Sequence, residues 1–387
     1  MADWSEKHSN LEGKRCPGCG VPFQSEKEDQ PGYVPPAVEE GEKVVCRRCF
    51  GLIHYGILSK APLGDESLFR ALKSASARVD GFLIVCDVSD PETLPRVLDV
   101  AGNEKPVLTV LNKADLLLRW MTPAQIEAHF VRRFGLHPGL TIALSARDGH
   151  CAKPLRELLQ RTFPGEKAVL ALGATNAGKS TLLSILSEDR RLSVSRLPGT
   201  TLGEVTLRTP WGLTLLDYPG FKLSNPFLAQ LCPQCLVAAV PRKRLFAKGF
   251  ELHPGMSYMF GGLGWIRVLD CGSRGWVKMN AFVPEDIPLH RTKAGKEREL
   301  LDRHSGDLFR FPCRACWDAL KADMKEPGFS IRVAEGEDLV FPALGWVSVQ
   351  TGEAELEVVA PEGCAPLVRS WLVDLRKAGH RFPRKRR

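Results

Sequence analysis

Apolar and polar positions follow two different regimes along the chain. From about Pro62 to residue 228, short runs that are apolar throughout alternate with stretches of helical period. Gly81-Phe-Leu-Ile-Val-Cys-Asp87, Pro106-Val-Leu-Thr-Val-Leu111, Ala168-Val-Leu-Ala-Leu172 and Leu213-Thr-Leu-Leu-Asp217 show almost no polar face, the pattern of strands covered on both sides of a parallel sheet. Between them, Leu94 to Val100 and Leu182-Leu-Ser-Ile-Leu186 predict helices. Thr122 followed by Pro123 predicts another, running to Phe134 with threonine as its N-cap and proline at its first position. Beyond residue 228 the continuous runs give way to alternation, and Trp276 to Phe282 reads as a half-buried strand. The expected layout is a small segment over 1–58, an α/β doubly wound, mostly parallel sheet over 59–228, and a mixed α+β domain over 229–387.

Composition narrows the class. The 387 residues carry a formal net charge of +8, which permits a polyanionic partner without requiring one. Met1-Ala-Asp-Trp-Ser-Glu lacks the basic and apolar regions of a secretory signal, and no apolar run is long enough to span a bilayer. The expectation is a soluble, cytoplasmic, monomeric protein with no membrane partner. In such a compartment the 12 cysteines point to metal ligands or free thiols rather than a disulfide framework.

Chemistry concentrates at Gly173-Ala-Thr-Asn-Ala-Gly-Lys-Ser-Thr181, between a predicted strand and a predicted helix. Gly173 and Gly178 let backbone N–H groups of the loop, Ala177 and Thr181 included, turn toward a β-phosphate. Lys179 reaches the β and γ oxygens, and Ser180 is placed to hold Mg2+. Asn112-Lys113-Ala114-Asp115 closes an earlier strand. The Asp115 carboxylate can accept two hydrogen bonds from the ring N–H and exocyclic amino group of guanine, a pair that adenine does not offer. Thr141-Ile-Ala-Leu-Ser145-Ala146 ends where a backbone N–H can meet the guanine carbonyl. Downstream, Pro198-Gly-Thr-Thr201 reads as a mobile loop, Asp217 ends a strand as a magnesium-side carboxylate should, and the Gly220 N–H follows as a γ-phosphate sensor. Base recognition therefore precedes the phosphate loop, the reverse of the usual order.

This order resembles that of circularly permuted GTPases, and rotation preserves the doubly wound sheet. Two details extend the resemblance. The pattern around Asn176 is similar to potassium-activated GTPases, in which the equivalent asparagine helps hold K+ against the phosphates; an asparagine that merely suits the loop backbone is the alternative. Phe221 stands where Ras-type enzymes carry a water-orienting glutamine, which implies slow intrinsic hydrolysis. By resemblance to the same relatives, Thr201 is the magnesium ligand and catalytic threonine of the first switch, with Thr200 as the fallback. Lys179, Asn176, Thr201 and Gly220 make up the implied catalytic set.

Cysteines frame the domain on both sides. Cys16-Pro-Gly-Cys19 and Cys46-Arg-Arg-Cys49 have the spacing of a four-thiolate Zn2+ site, with redox pairs or idle thiols as the alternative. Cys232-Pro-Gln-Cys235 and Cys313-Arg-Ala-Cys316 lie far apart, either converging on a second zinc or remaining separate thiols. Between these last pairs, basic residues interleave with tryptophan at Trp265-Ile-Arg267 and Trp276-Val-Lys278. Such interleaving suits RNA as well as ordinary strands with tryptophan in the core. The basic run Arg381-Phe-Pro-Arg-Lys-Arg-Arg387 closes the chain.

Taken together, the amino-terminal cysteines, the rotated motif order, and Leu289-His-Arg-Thr-Lys293, His304-Ser-Gly-Asp307 and Leu344-Gly-Trp346 resemble the YqeH family of circularly permuted GTPases. The resemblance implies a GTP/GDP switch that binds ribosomal RNA and small-subunit precursors during assembly. Two other readings stay open: an RNA-binding module whose GTP is only a structural ligand, and a large-subunit assembly GTPase.

Overall fold

A computed structural model describes residues 23–26, 33–34, 72, 75–147, 151–174, 177–187, 205–218, 231–239, 245–342, 344–362 and 364–378. The chain divides into two compact units, Met1–Ala71 and Leu72–Arg387. In the first, the described residues show a single bridge between Gln24 and Tyr33, with Val34 N–H donating to the Gln24 carbonyl at 2.9 Å. Cys16, Cys19, Cys46 and Cys49, Asn176, Thr200, Thr201, Gly220, Phe221 and the basic tail lie outside the described residues.

The second unit opens with a six-stranded sheet in the order β3-β2-β1-β4-β6-β5. Its strands are β1 Gly81–Asp87, β2 Val107–Asn112, β3 Thr141–Ala143, β4 Ala168–Gly173, β5 Val205–Arg208 and β6 Thr214–Asp217. All pairs are parallel except β5 with β6. Helices α1 Leu94–Ala101, α2 Pro123–Phe134, α3 Ala152–Thr162 and α4 Lys179–Ser187 connect the strands. The start of α2 is fixed by a capping box: Gln125 N–H donates to the Thr122 hydroxyl while the Gln125 side chain accepts from Thr122 N–H. Leu83, Val85, Val110, Val169, Ala171, Leu182, Leu183 and Leu215 form the core, which is why these strands read as continuous apolar runs.

Past α5 (Pro233–Ala239) come two antiparallel five-stranded sheets, β16-β13-β14-β10-β7 and β11-β8-β9-β15-β12. They are built from β7 Leu245–Leu252, β8 Met256–Phe260, β9 Trp265–Asp270, β10 Val277–Pro284, β11 Leu289–Lys293, β12 Phe329–Ala334, β13 Glu337–Phe341, β14 Gly345–Thr351, β15 Glu353–Val359 and β16 Leu367–Ser370. Short helices α6 Glu297–His304, α7 Arg314–Leu320 and α8 Leu375–Ala378 complete the unit. Trp346 stacks on Phe282 at 4.9 Å between ring centroids. Gly345 beside it has φ +128°, and a Cβ there would come within 2.2 Å of the Phe282 carbonyl oxygen. Leu344-Gly-Trp346 is thus a packing motif, with glycine required by backbone approach.

Candidate guanine-nucleotide site

Strand register brings the expected site residues to one edge of the parallel sheet. Asp87 pairs with Asn112, Val85 with Gly173, and Ala171 with Asp217. Strands β2, β4 and β6 therefore end at nearly the same level. From β1 the order runs outward through β2 and β3 on one side and through β4 on the other. The sheet thus reverses its winding beside the phosphate loop, the place where doubly wound folds bind nucleotides.

Asn112 is the knot of this edge. Its Nδ2 donates to the Ala177 carbonyl at 2.7 Å, and its Oδ1 accepts from Ala146 N–H at 2.9 Å. One buried side chain thereby joins the loop after β2, the Ser145-Ala146 loop and the phosphate loop, across 65 and 34 positions of sequence. Gly178 is obligatory here for two reasons. Its φ is +86°, and a Cβ would lie 2.2 Å from Asn112 Nδ2. Gly173 likewise has no room for a side chain, since a Cβ would sit 2.5 Å from the Val85 carbonyl oxygen.

Lys113 adopts a left-handed backbone, φ 59°. Its ammonium reaches back to Asp87 Oδ2 at 2.5 Å, while Asp87 Oδ1 accepts from the N–H and hydroxyl of Ser89 at 2.8 and 2.6 Å. Asp87 is accordingly a scaffold residue that holds Lys113, a link that neither sequence segment announces by itself. Asp115 follows in a short 3-10 turn, and its Oδ1 is buried without a hydrogen-bond partner among the described residues. An orphaned carboxylate oxygen costs about 1–3 kcal/mol unless a ligand donates to it. Ser145 is half-buried, and its hydroxyl accepts from Arg147 N–H at 3.4 Å.

At the phosphate end, Lys179 is 7% exposed and its ammonium is paired with the Asp217 carboxylate. Ser180 and Thr181 are exposed in the first turn of α4. An aspartate carboxylate and a serine hydroxyl are hard oxygen donors, the kind that magnesium takes.

The rotated order is now visible in space: β2 and β3 carry the base-side loops before the chain reaches β4, yet Asn112 ties them to the loop that follows β4. A family model described as "50S ribosome-binding GTPase" matches residues 168–245, and one described as "YqeH-like, C-terminal" matches residues 276–372. YqeH of Bacillus subtilis is 29% identical over 371 residues, 92% of this chain and 99% of the relative. Together these matches support a YqeH-type circularly permuted GTPase. Ribosome biogenesis GTPase A of Thermotoga maritima is 29% identical over 157 residues, 39% of this chain and 56% of that protein. A crystal structure of GNP-bound YlqF from T. maritima covers 44% of this chain and 62% of its own at 21% identity, with a TM-score of 0.29, too low to bear on function.

The region matched by the C-terminal model holds most of the two antiparallel sheets. The basic and aromatic residues of the two sheets expected to suit RNA divide into two groups. Trp265 is fully buried, and Arg267 is bound to Glu297, Glu326 and Glu357 at 2.9, 3.0 and 3.2 Å. That pair belongs to the core rather than to a surface. Lys278, Arg291 and Lys293 are exposed. The second cysteine set converges: the sulfurs of Cys232, Cys235, Cys313 and Cys316 all lie within 4.8 Å of one another. Among the described residues, no helix is long and apolar enough to cross a membrane.

Proposed function

We propose that this GTPase is a cytoplasmic, monomeric assembly switch that binds immature ribosomal subunits and their RNA in one nucleotide state and leaves in the other. In this reading Asp115 takes the two guanine donors, the Ala146 region faces the guanine carbonyl, and Lys179 leaves Asp217 for the phosphates. Ser180, Thr201 and Asp217 would hold Mg2+, which neutralises charge developing on the phosphates. Asn176 would place K+ beside them, Gly220 would sense the γ-phosphate, and the apolar Phe221 would keep unassisted hydrolysis slow. Cys16, Cys19, Cys46 and Cys49 would hold a structural Zn2+.

The observation that supports this most is the Asn112 knot, with the unpartnered Asp115 oxygen beside it. It lets one nucleotide be read at its base by residues before β4 and at its phosphates by residues after it. The YqeH resemblance favours the small subunit; the description of the model matched at 168–245, which names the 50S subunit, favours the large one. Sedimenting the protein, loaded with GTP or GDP, with purified subunits separates them. GTP-dependent cosedimentation with the small subunit is expected, whereas association with neither subunit in either state would overturn the assembly role. Single-turnover hydrolysis should be faster in K+ than in Na+, and near-zero rates in both would favour GTP as a structural ligand.

A further inference from the structure

The four cysteines that converge in the second unit lie far from each other in sequence and outside the GTPase machinery. Cys232 stands just before α5, and Cys313 is the N-cap of α7. Each second cysteine, Cys235 and Cys316, is buried in the first turn of its helix. The two Cys-x-x-Cys units therefore face each other as similar half-sites.

Their geometry matches a tetrathiolate metal centre. Cys232 and Cys313 sulfurs are 3.8 Å apart, and the edge of a tetrahedron with metal–sulfur bonds of about 2.3 Å is about 3.8 Å. All four thiols are free, so no disulfide claims them. Two backbone N–H groups cross between the half-sites: Cys232 N–H donates to Cys316 Sγ at 3.1 Å, and Cys313 N–H donates to Cys235 Sγ at 3.2 Å. Sulfur is a weak acceptor as a thiol and a much better one as a thiolate. Four thiolates so close would repel one another without a cation at their centre. Arg314 does not supply that charge: its guanidinium is bound to the Asp302 carbonyl and to Asp318.

We propose that Cys232, Cys235, Cys313 and Cys316 bind one Zn2+, and that this ion fastens the segment that follows Asp217 and Gly220 to the C-terminal sheets. All-sulfur tetrahedral coordination suits zinc, and binding releases thiol protons without any redox step. The ion closes a chain loop spanning 84 positions, from Cys232 to Cys316. Asp217 and Gly220 precede Cys232 by no more than 15 positions. A clamp at that point makes α5 move with α7 and the Trp317 core rather than independently. The metal assignment stands without the GTPase reading; only its mechanical meaning rests on it.

Native mass spectrometry of the full chain carrying Cys16→Ser and Cys46→Ser should show one zinc ion. That ion should vanish when Cys232→Ser and Cys313→Ser are added. For the case in which those variants do not fold, wild-type protein supplies the second measurement. Alkylation of Cys232, Cys235, Cys313 and Cys316, mapped by peptide, should rise together by about tenfold or more when a chelator is added. Hydrogen exchange of residues 231–239 and 313–320 should rise in the same step. Retention of the zinc in the fourfold variant, iron in its place, a disulfide within the set, or alkylation indifferent to chelator would overturn the site. Exchange that rises in one stretch and not the other would overturn the clamp.

Discussion

Two carboxylates, one in each half of the second unit, show how differently the halves use charge. In the C-terminal sheets, Asp338 is 0% exposed and both its oxygens are spent within the protein. Oδ1 accepts from the Ser348 hydroxyl, and Oδ2 accepts from Arg369 Nε at 3.1 Å and Leu372 N–H at 2.8 Å. At the nucleotide edge, Asp115 keeps a buried oxygen with no donor among the described residues. The first carboxylate is a structural joint and the second has capacity left for a ligand. Asp338 is buried whole and Asp115 only in part, and their hydrogen bonds separate them further.

The sharpest way to break that contrast is to remove the partner of the structural carboxylate. Arg369→Leu leaves Asp338 as a buried, poorly compensated charge and also removes one of the two arginines that hold Glu92, which Arg369 reaches at 2.6 Å and Arg133 at 3.0 Å. A loss of about 3–5 kcal/mol is expected in urea unfolding. Adding Asp338→Asn should recover much of it, while guanine-nucleotide affinity of the folded protein stays unchanged. A fall in affinity with no loss of stability would reverse the roles assigned to the two halves.

Asn112→Ala tests the knot. It strips a partner from the Ala177 carbonyl and from Ala146 N–H, at a cost of about 1–3 kcal/mol. Unlike Arg369→Leu, it should also weaken GTP binding, by about tenfold, because the base and phosphate loops lose their shared anchor. Equilibrium titration beside urea unfolding checks both.

The smallest effect concerns acid. Burial, reinforced by Arg133 and Arg132, pulls the His129 pKa down to about 4. The folded protein therefore binds this proton less readily than the unfolded chain, whose histidine titrates near its ordinary value of 6.5. His129 in its neutral form is accommodated above pH 6.5, and stability is lost as pH falls from there toward 4. His129→Gln should flatten that slope, by about 1–2 kcal/mol between pH 7 and pH 4.5. An unchanged stability profile would remove His129 from the acid response.

How far the sequence could be read follows the same division. In the parallel sheet each strand is buried on both faces, so Leu83 to Val85 or Val169 to Ala171 announce themselves locally, and the chemistry sits in contiguous loops. The motifs that hold Asp115 and Lys179 stand out locally, because guanine and phosphate recognition would impose residue type and spacing. The Lys113–Asp87 pair was not, since it joins ends of neighbouring strands whose register no local pattern reveals. In the C-terminal half, alternation exposed Trp276 to Phe282 as a strand. Yet the pairing of β10 with both β7 and β14 depends on contacts between distant segments. The cysteine pairs at 232 and 313 show the same limit: spacing marked each half-site, and only the fold brought them together. Trp265 and Arg267 illustrate the converse, a combination suited to RNA that packing and carboxylates have absorbed.

The permuted site itself is tested most directly by titrating Asp115→Asn protein with GTP and with xanthosine triphosphate. An amide in place of the carboxylate presents a donor to the guanine amino group and suits the oxygen that xanthine carries there. Affinity for GTP should fall by about 100-fold and preference should pass to the xanthine nucleotide. Undiminished preference for GTP would mean that Asp115 does not close over the nucleotide held by Lys179.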